Sequence, residues 1–429
     1  MGAGYTGLAA AYELAKAGRK VIIIEREPDI GGLAGTFTLS TGARVEKFYH
    51  HWFSSDNDIL EWIEELGAKD KIKFHQTNTG LYYANSIFRL ASPLDLISFP
   101  AIPLIDRIRT GLLALYARRI KNWRTLENAS AIEWLKKIGG EKAFKVIWEP
   151  LLKGKFGAEA ENVAAVWFWN KLKLRGSSRK RGGRESLAYF DGGFFALSEI
   201  IKENLEKLGV ELCLNLQASK IHSFEDGVII ETNQSKIKAE QALVTTPIPI
   251  FKEIASKLPL SYIDQISKIR YLGNVCLILE LKQSLSKTYW LNVADPSFPF
   301  VGLIEHTNMD DYKNYGGSRI AYLSKYVAVE DRLFQMSSEE FFDYSLPYLQ
   351  KIFPAFSKDW VISSSVWRAE HSQPIITRGY SKIIPDYRTP DPKIWLATMA
   401  QIYPEDRGTN YAVREGRKVA RLMLGNLNK

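Results

Sequence analysis

The sequence predicts an α/β protein: a Rossmann-like dinucleotide-binding unit carrying an inserted mixed β-sheet and a helical cap. Three observations lead there. Gly2-Ala3-Gly4-Tyr5-Thr6-Gly7 opens a helical run that Gly18 ends, a glycine spacing that lets backbone and helix N-terminus approach a phosphate. Val21-Ile22-Ile23-Ile24 then reads as a buried parallel strand and ends in Glu25, where such folds place a ribose-binding acid. Short apolar strands alternating with helical periodicity recur along 429 residues, a length that allows about two to three domains.

Composition removes other classes. With 46% apolar, 12% aromatic and 24% charged residues, the chain is neither disordered nor of low complexity. Cys213 and Cys276 are far apart in strand-like runs without His or Asp neighbours, so we expect no disulfide framework and no metal site. The chain opens without a basic-then-apolar leader, and its uncharged stretches, such as residues 96–105, are too short to span a bilayer. We expect a cytoplasmic protein. Much of the net charge of +9 falls in residues 171–184, which carry Lys171, Lys173, Arg175, Arg179, Lys180, Arg181 and Arg184 without an acid. This run could clamp a phosphate or an anionic membrane, but a solvated loop is the favoured reading. It lacks the interleaved aromatics that stack bases, so nucleic acid is not an expected partner.

Beyond Glu25, Arg26 leads to a second cluster, Gly31-Gly32-Leu33-Ala34-Gly35-Thr36, which implies that the ligand continues past the first turn. These motifs resemble the flavin amine oxidase superfamily, most of all its protoporphyrinogen oxidase-like and phytoene desaturase-like branch. The resemblance implies noncovalent FAD, with Gly2, Gly4, Tyr5, Thr6, Gly7, Glu25, Arg26, Gly31, Gly32, Leu33, Gly35 and Thr36 at its binding site. One departure stands out: Met1 directly precedes Gly2, where the fold places a buried central strand. We therefore expect that the natural chain begins upstream and that Met1 stands as the last residue of that strand.

The resemblance extends along the chain. Asp191-Gly192-Gly193, a helix over 196–208 and a strand over 210–214 return the chain to the FAD sheet, implying that Ala218 lies against adenine. Ala242-Leu243-Val244-Thr245-Thr246-Pro247 implies a strand-to-loop segment with Thr246 beside the cofactor. Ile394-Trp395-Leu396-Ala397 reads as a further strand. Thr398 and Met399 occupy the place of the family's Gly-Asp, so the usual acid is missing there. Pro404-Glu405-Asp406-Arg407-Gly408-Thr409-Asn410 precedes a helix over 411–424, whose N-terminus the resemblance points at the flavin; Met399, Arg407, Gly408, Thr409 and Asn410 complete the implied FAD set. The expected organisation is a Rossmann-like FAD-binding domain from 1–72, 187–255 and 355–429, a mixed-sheet substrate domain from 73–91 and 256–354, and a helical cap from 92–186. Within the cap, Trp148-Glu149-Pro150 reads as a helix stop. Leu104, Ile105, Ile108, Leu112, Leu115 and Tyr116 fall at helical spacing among Arg107, Arg109, Arg118, Arg119 and Lys121. A cap helix facing the core is favoured over one lying on an anionic membrane.

For proton transfer, His50 and His51 are the candidate catalytic residues, since related enzymes pass close to flavin or substrate at this point. His306 and His371 each adjoin an acid but rank lower, and His75 and His222 are expected at the surface. The counterpart of the amine oxidases' flavin-side Lys is apolar here, around Cys276 and Leu277, and no Cys near Gly408 offers covalent flavin attachment. An aromatic cage is not evident either, which disfavours a simple amine oxidase. The leading expectation is an FAD-dependent oxidoreductase taking hydride from a medium-to-large, lipid-like or glycosylated substrate, with peripheral contact at the inner membrane face as a further partner reading. A non-redox flavin mutase similar to UDP-galactopyranose mutase is the alternative, followed by a flavin-fold binding protein without cofactor.

Overall fold

The computed structural model describes residues 1–90, 92–177 and 185–427. Two parallel strand pairs frame the first glycine turn: Ile22–Ile24 with Glu211–Cys213, and Ala242–Val244 with Ile394–Leu396. Met1 and Gly2 run between them. The Met1 amino group donates to Leu243 O at 2.8 Å, Thr245 N to Met1 O at 3.0 Å, and Gly2 N to Ile24 O at 2.8 Å. Helix Tyr5–Lys16 follows at once and ends at Gly18, whose φ of +79° is the left-handed conformation that closes helices. Its small residues Ala9, Ala10 and Ala11 are buried, which lets the C-terminal helix Thr409–Leu427 pack closely. A Cβ on Gly416 would fall 2.2 Å from Thr6 O, so this crossing requires glycine.

The inserted sheet has seven strands in the order Val361–Pro374, Tyr271–Leu281, Arg319–Val327, Gly302–Glu305, Trp290–Val293, Thr79–Tyr83 and Ser86–Arg89. Trp290–Val293 pairs parallel with Thr79–Tyr83 and the other pairs are antiparallel, which makes the sheet mixed. Alternation along Tyr271–Leu281 serves two cores. Val275, Leu277 and Leu279 pack toward helix Ser338–Ile352 through Phe341 and Leu349, while Cys276 and Ile278 pack toward the nucleotide unit.

Two expected boundaries shift. Ile72–Thr77 pairs with Glu185–Phe190, outside the large sheet, and Val361–Pro374, expected in the FAD unit, is the outer strand of the large sheet. The physical reason is the long Tyr271–Leu281 strand, whose buried backbone needs a ladder on both sides and receives its second from this distant segment.

The cap holds helices Pro93–Ile97, Leu104–Arg119, Ala131–Gly139, Glu149–Phe156 and Ala165–Ser177. The expected stop at Trp148-Glu149-Pro150 is instead a helix start: a π turn over Phe144–Trp148 leads into Glu149–Phe156, with Pro150 in the first turn, where its missing N–H breaks no bond. Helix Leu104–Arg119 is also turned against expectation. Asp106, Thr110, Leu113 and Ala117 face inward, whereas Leu104, Ile105, Ile108, Leu112, Leu115 and Tyr116 are 48–68% exposed. The Asp106 carboxylate accepts from Lys142 N at 3.1 Å and Ala143 N at 3.3 Å, capping the helical turn Glu141–Ala143 and fixing the rotation. Lys171 and Lys173 lie on helix Ala165–Ser177 rather than on a solvated loop. Residues 178–184 and the side chain of Arg175 lie outside the described residues.

Candidate active site

The glycine turn is a cradle that side chains would fill. A Cβ on Gly7 would sit 2.1 Å from Gly2 O, and one on Gly2, at φ +96°, would sit 2.7 Å from Thr245 Oγ1. Gly4 bridges to Gly31, and a Cβ on Gly32 would lie 3.1 Å from Gly4 Cα, so the second glycine cluster closes against the first. Helix Tyr5–Lys16 begins with no side-chain cap and no acid in its first turn, the condition under which its N–H groups suit a diphosphate. Beside Gly2, the buried Thr246 Oγ1 has no hydrogen-bond partner among the described residues.

Glu25 stands at the rim. Its Oε2 accepts from Ala3 N at 2.7 Å and its Oε1 from Glu27 N at 3.0 Å, which aims the carboxylate along the cradle. Leu216 N donates to Glu25 O at 2.8 Å and Asn215 N to Glu27 O at 3.2 Å, so the chain into Ala218 runs beside this acid. Arg26 is exposed and paired with Glu27 at 3.1 Å. Gly35 N donates to Gly32 O at 3.0 Å, and the Thr36 hydroxyl accepts from Arg44 Nη2 at 2.9 Å. At the expected ribityl position Met399 offers backbone and thioether, and Gln401 Oε1 accepts from Thr398 N at 2.7 Å.

From this end a cavity of about 940 Å³ extends beneath the cap. Leu33, Gly408, Thr409 and Asn410, expected at the cofactor, line this end of it. Trp52 Nε1 donates to Thr409 Oγ1 at 2.7 Å and Ile59 N to Asn410 Oδ1 at 3.1 Å, which fixes the start of the C-terminal helix. Arg407 lines the cavity as well and donates to Gln373 Oε1 at 3.1 Å and to Tyr326 OH at 2.5 Å. Next to it the buried Asp406 accepts from Lys171 at 2.6 Å and Lys155 at 3.4 Å. Burial would raise the Asp406 carboxyl, but Lys155, Lys171 and Arg407 hold it well below the usual carboxylate range.

Both candidate histidines line the cavity. His50 Nδ1 lies 2.6 Å from Phe48 O, which makes Nδ1–H the donor and leaves the lone pair on Nε2. Burial pulls its pKa down to about 4, with the Phe48 carbonyl opposing, so the ring is neutral at pH 7. His51 Nδ1 lies 2.8 Å from Tyr289 OH. Tyr49 meets Trp290 edge-on, with centroids 4.9 Å apart, so an aromatic wall that the sequence did not reveal stands here. Asn274, rather than Cys276 or Leu277, is the cavity residue on its strand. The other histidines lie apart. His306 is fully buried and bonded to Tyr315 OH at 2.6 Å, not to Glu305, and His371 is 3.9 Å from Glu370. His75 and His222, expected at the surface, each hold one ring nitrogen buried.

The sequence alone does not single out Lys155, Lys171 and Asp406 as site residues, because their convergence is tertiary. The only sequence signals were Asp406 within the Pro404-to-Asn410 motif and Lys171 at the start of the basic run.

The family model for flavin containing amine oxidoreductases matches residues 5–424. A zeta-carotene desaturase from Synechocystis sp. is 21% identical over 481 residues, covering 99% of this chain and 96% of the relative. Among solved structures, a candidate protoporphyrinogen oxidase from Exiguobacterium sp. 255-15 superposes with TM-score 0.77 at 16% identity, over 98% of this chain and 97% of that one. A reduced UDP-galactopyranose mutase superposes with TM-score 0.76 at 16% identity, over 99% and 94%.

Proposed function

Because the chain belongs to the flavin-containing amine oxidoreductase family and is an FAD-dependent oxidoreductase, we propose that it takes hydride from a C–H unit of a medium-to-large, lipid-like or glycosylated substrate held beside noncovalent FAD. The cavity carries this reading, since it runs from the start of helix Thr409–Leu427 to the apolar cap helices. When bound, FAD supplies the hydride acceptor. The cradle of Gly2, Gly4 and Gly7 with the first helical turn holds the diphosphate, and Glu25 holds the ribose. The N-terminus of Thr409–Leu427 stabilises the negative charge that develops on reduction. Loss of hydride from one carbon requires a proton to leave its neighbour, and the 2.8 Å contact of His51 Nδ1 with Tyr289 OH on the cavity wall supports a role for this pair in moving it.

The test is anaerobic mixing of the holoenzyme with candidate substrates while the flavin absorption band is followed. Bleaching by a lipid-like compound is the expected result, and His51→Gln should slow it by about a hundredfold or more without changing flavin content. Bleaching that proceeds equally fast in this variant would remove His51 from the mechanism. The cationic cavity end also suits a nucleotide sugar, which keeps the mutase reading as an alternative. Product formation on reduced flavin with no electron acceptor consumed would establish it instead. Family membership and the preserved cradle weigh against a protein without cofactor.

Among the described residues no helix is long and apolar enough to cross a membrane. Peripheral contact fits the outward apolar stripe of Leu104–Arg119, flanked by the exposed Arg118 and Arg119. Sedimentation with anionic but not zwitterionic vesicles is expected; sedimentation with neither, or equally with both, would end this part of the reading.

A further inference from the structure

Resting on the cavity of that reading, we propose that the substrate is an amphiphile whose anionic head group sits against Lys155, Lys171 and Arg407 while its apolar chain runs out along helices Pro93–Ile97 and Leu104–Arg119. Three separate elements bring these cations together: Lys155 from Glu149–Phe156, Lys171 from Ala165–Ser177, and Arg407 from the approach to the C-terminal helix. Lys155 and Lys171 converge on Asp406, which also accepts from Gln373 Nε2 at 3.1 Å, and Arg407 donates to the Oε1 of the same glutamine at 3.1 Å. Lys155 Nζ lies over the rings of Trp167 at 4.9 Å and Tyr326 at 5.0 Å. Each cation therefore has partners already, and the surplus is one of charge.

Asp56 is the second carboxylate on the cavity wall; burial pushes its pKa up to about 6, with the Phe53 N–H and Lys171 opposing. At this end Lys155, Lys171 and Arg407 line the wall with these two carboxylates, three positive charges against two negative, while Arg107 and Arg118 line the cavity from helix Leu104–Arg119. A pure hydrocarbon sealed over this end would desolvate cations and return no countercharge. A protonated amine would meet like charge. A phosphate or carboxylate would balance the surplus through charge-assisted hydrogen bonds. The other end has the opposite character: Ile97, Ile108, Leu112 and Leu115 are both cavity-lining and solvent-exposed, giving a chain an apolar way out beside Arg118 and Arg107, whose guanidinium donates to Ile97 O and Ile102 O.

Holoenzyme titrated with decyl phosphate, decanol and inorganic phosphate tests this, read by tryptophan fluorescence, since Trp167 lies against both lysines, and by the flavin spectrum. We expect decyl phosphate to bind about tenfold or more tighter than either partial probe. Lys171→Met should remove that advantage and leave decanol within about twofold, while Lys171→Arg restores most of it. Melting curves identify any variant that fails to fold, in which case Arg407→Gln provides the second test, with the same loss expected. Decanol binding as tightly as decyl phosphate would overturn the head-group site. Inorganic phosphate matching decyl phosphate would overturn the chain path. A protein with a normal flavin spectrum that binds none of the probes overturns this inference alone, whereas lipid-like substrates that bind yet never bleach the flavin count against the oxidoreductase substrate reading.

Discussion

The glycine cradle takes its shape from six neighbouring residues, Gly2 to Gly7, and a second cluster close behind, whereas the cationic cavity end joins Lys155 to Asp406 across 251 positions. The first works through backbone: close approach of main chain needs glycines at fixed spacing, and that spacing is written locally. The second works through side-chain charge, which any helix can deliver from anywhere once the fold has formed. A change in the cradle should therefore remove the cofactor, and a change at the cationic end should spare it.

The largest effect is expected for Gly7→Ala. Its Cβ would press to 2.1 Å from Gly2 O, backbone that cannot give way without opening the cradle. Such overpacking costs about 3 kcal/mol, which corresponds to more than about a hundredfold loss of flavin affinity. The ratio of flavin to protein absorbance in the purified variant measures it. Wild-type flavin content would mean that the cradle is looser than its glycines imply.

Glu46 tests the cradle's surroundings and comes next. It is wholly buried, accepting from Phe194 N at 2.9 Å and Tyr189 OH at 2.8 Å. Burial raises its pKa from 4.5 to about 7 against those two hydrogen bonds. The folded protein thus binds the proton more tightly than the unfolded chain, so this group's contribution to stability falls as pH rises from about 4.5 to about 7, by about 3 kcal/mol in all. Glu46→Gln, neutral throughout, should flatten that part of the profile. Denaturant melts of both proteins across this window check it, and parallel profiles would show that Glu46 is solvated or paired beyond these two bonds.

The same contrast explains what could be read beforehand. Helix Tyr5–Lys16, strand Ile22–Ile24 and the late helix Thr409–Leu427 follow from glycine turns and periodic apolar residues, all short-range signals. The facing of Leu104–Arg119 did not, because its apolar stripe predicts burial unless Asp106 is known to cap a neighbouring helix. Nor did the pairing of Val361–Pro374 with Tyr271–Leu281, since strand partners are chosen by the unmet ladder of a distant segment. Within the candidate site, His50 and His51 are legible as titratable residues and both line the cavity, but the partner that orients His51, Tyr289, lies 238 positions away.

Asp406→Asn breaks the comparison from its other side. Lys155 and Lys171 would keep their charge and lose the carboxylate, which costs about 2 kcal/mol after allowing for the partial exposure of Lys171. Because neighbouring cations hold the Asp406 pKa low, this stabilisation is present above 3.8 and lost toward more acid pH, so the variant should also lose part of the wild type's acid sensitivity. Thermal melts measure the first and acid titration the second. Flavin content should stay at the wild-type level; a loss as large as that expected of Gly7→Ala would mean that the two ends do not act separately.

The smallest effect on stability belongs to the outer stripe. Leu112 and Ile108 are 56% and 52% exposed, so Leu112→Ser with Ile108→Ser should change the unfolding free energy by less than about 1 kcal/mol. Each change removes roughly a buried leucine's worth of transfer energy from any bilayer contact, about 2 kcal/mol per site. Sedimentation with anionic vesicles should then drop steeply while melting temperature and flavin content hold. A large fall in melting temperature would instead place these residues in an internal contact, and the apolar exit of the cavity would have to lie elsewhere.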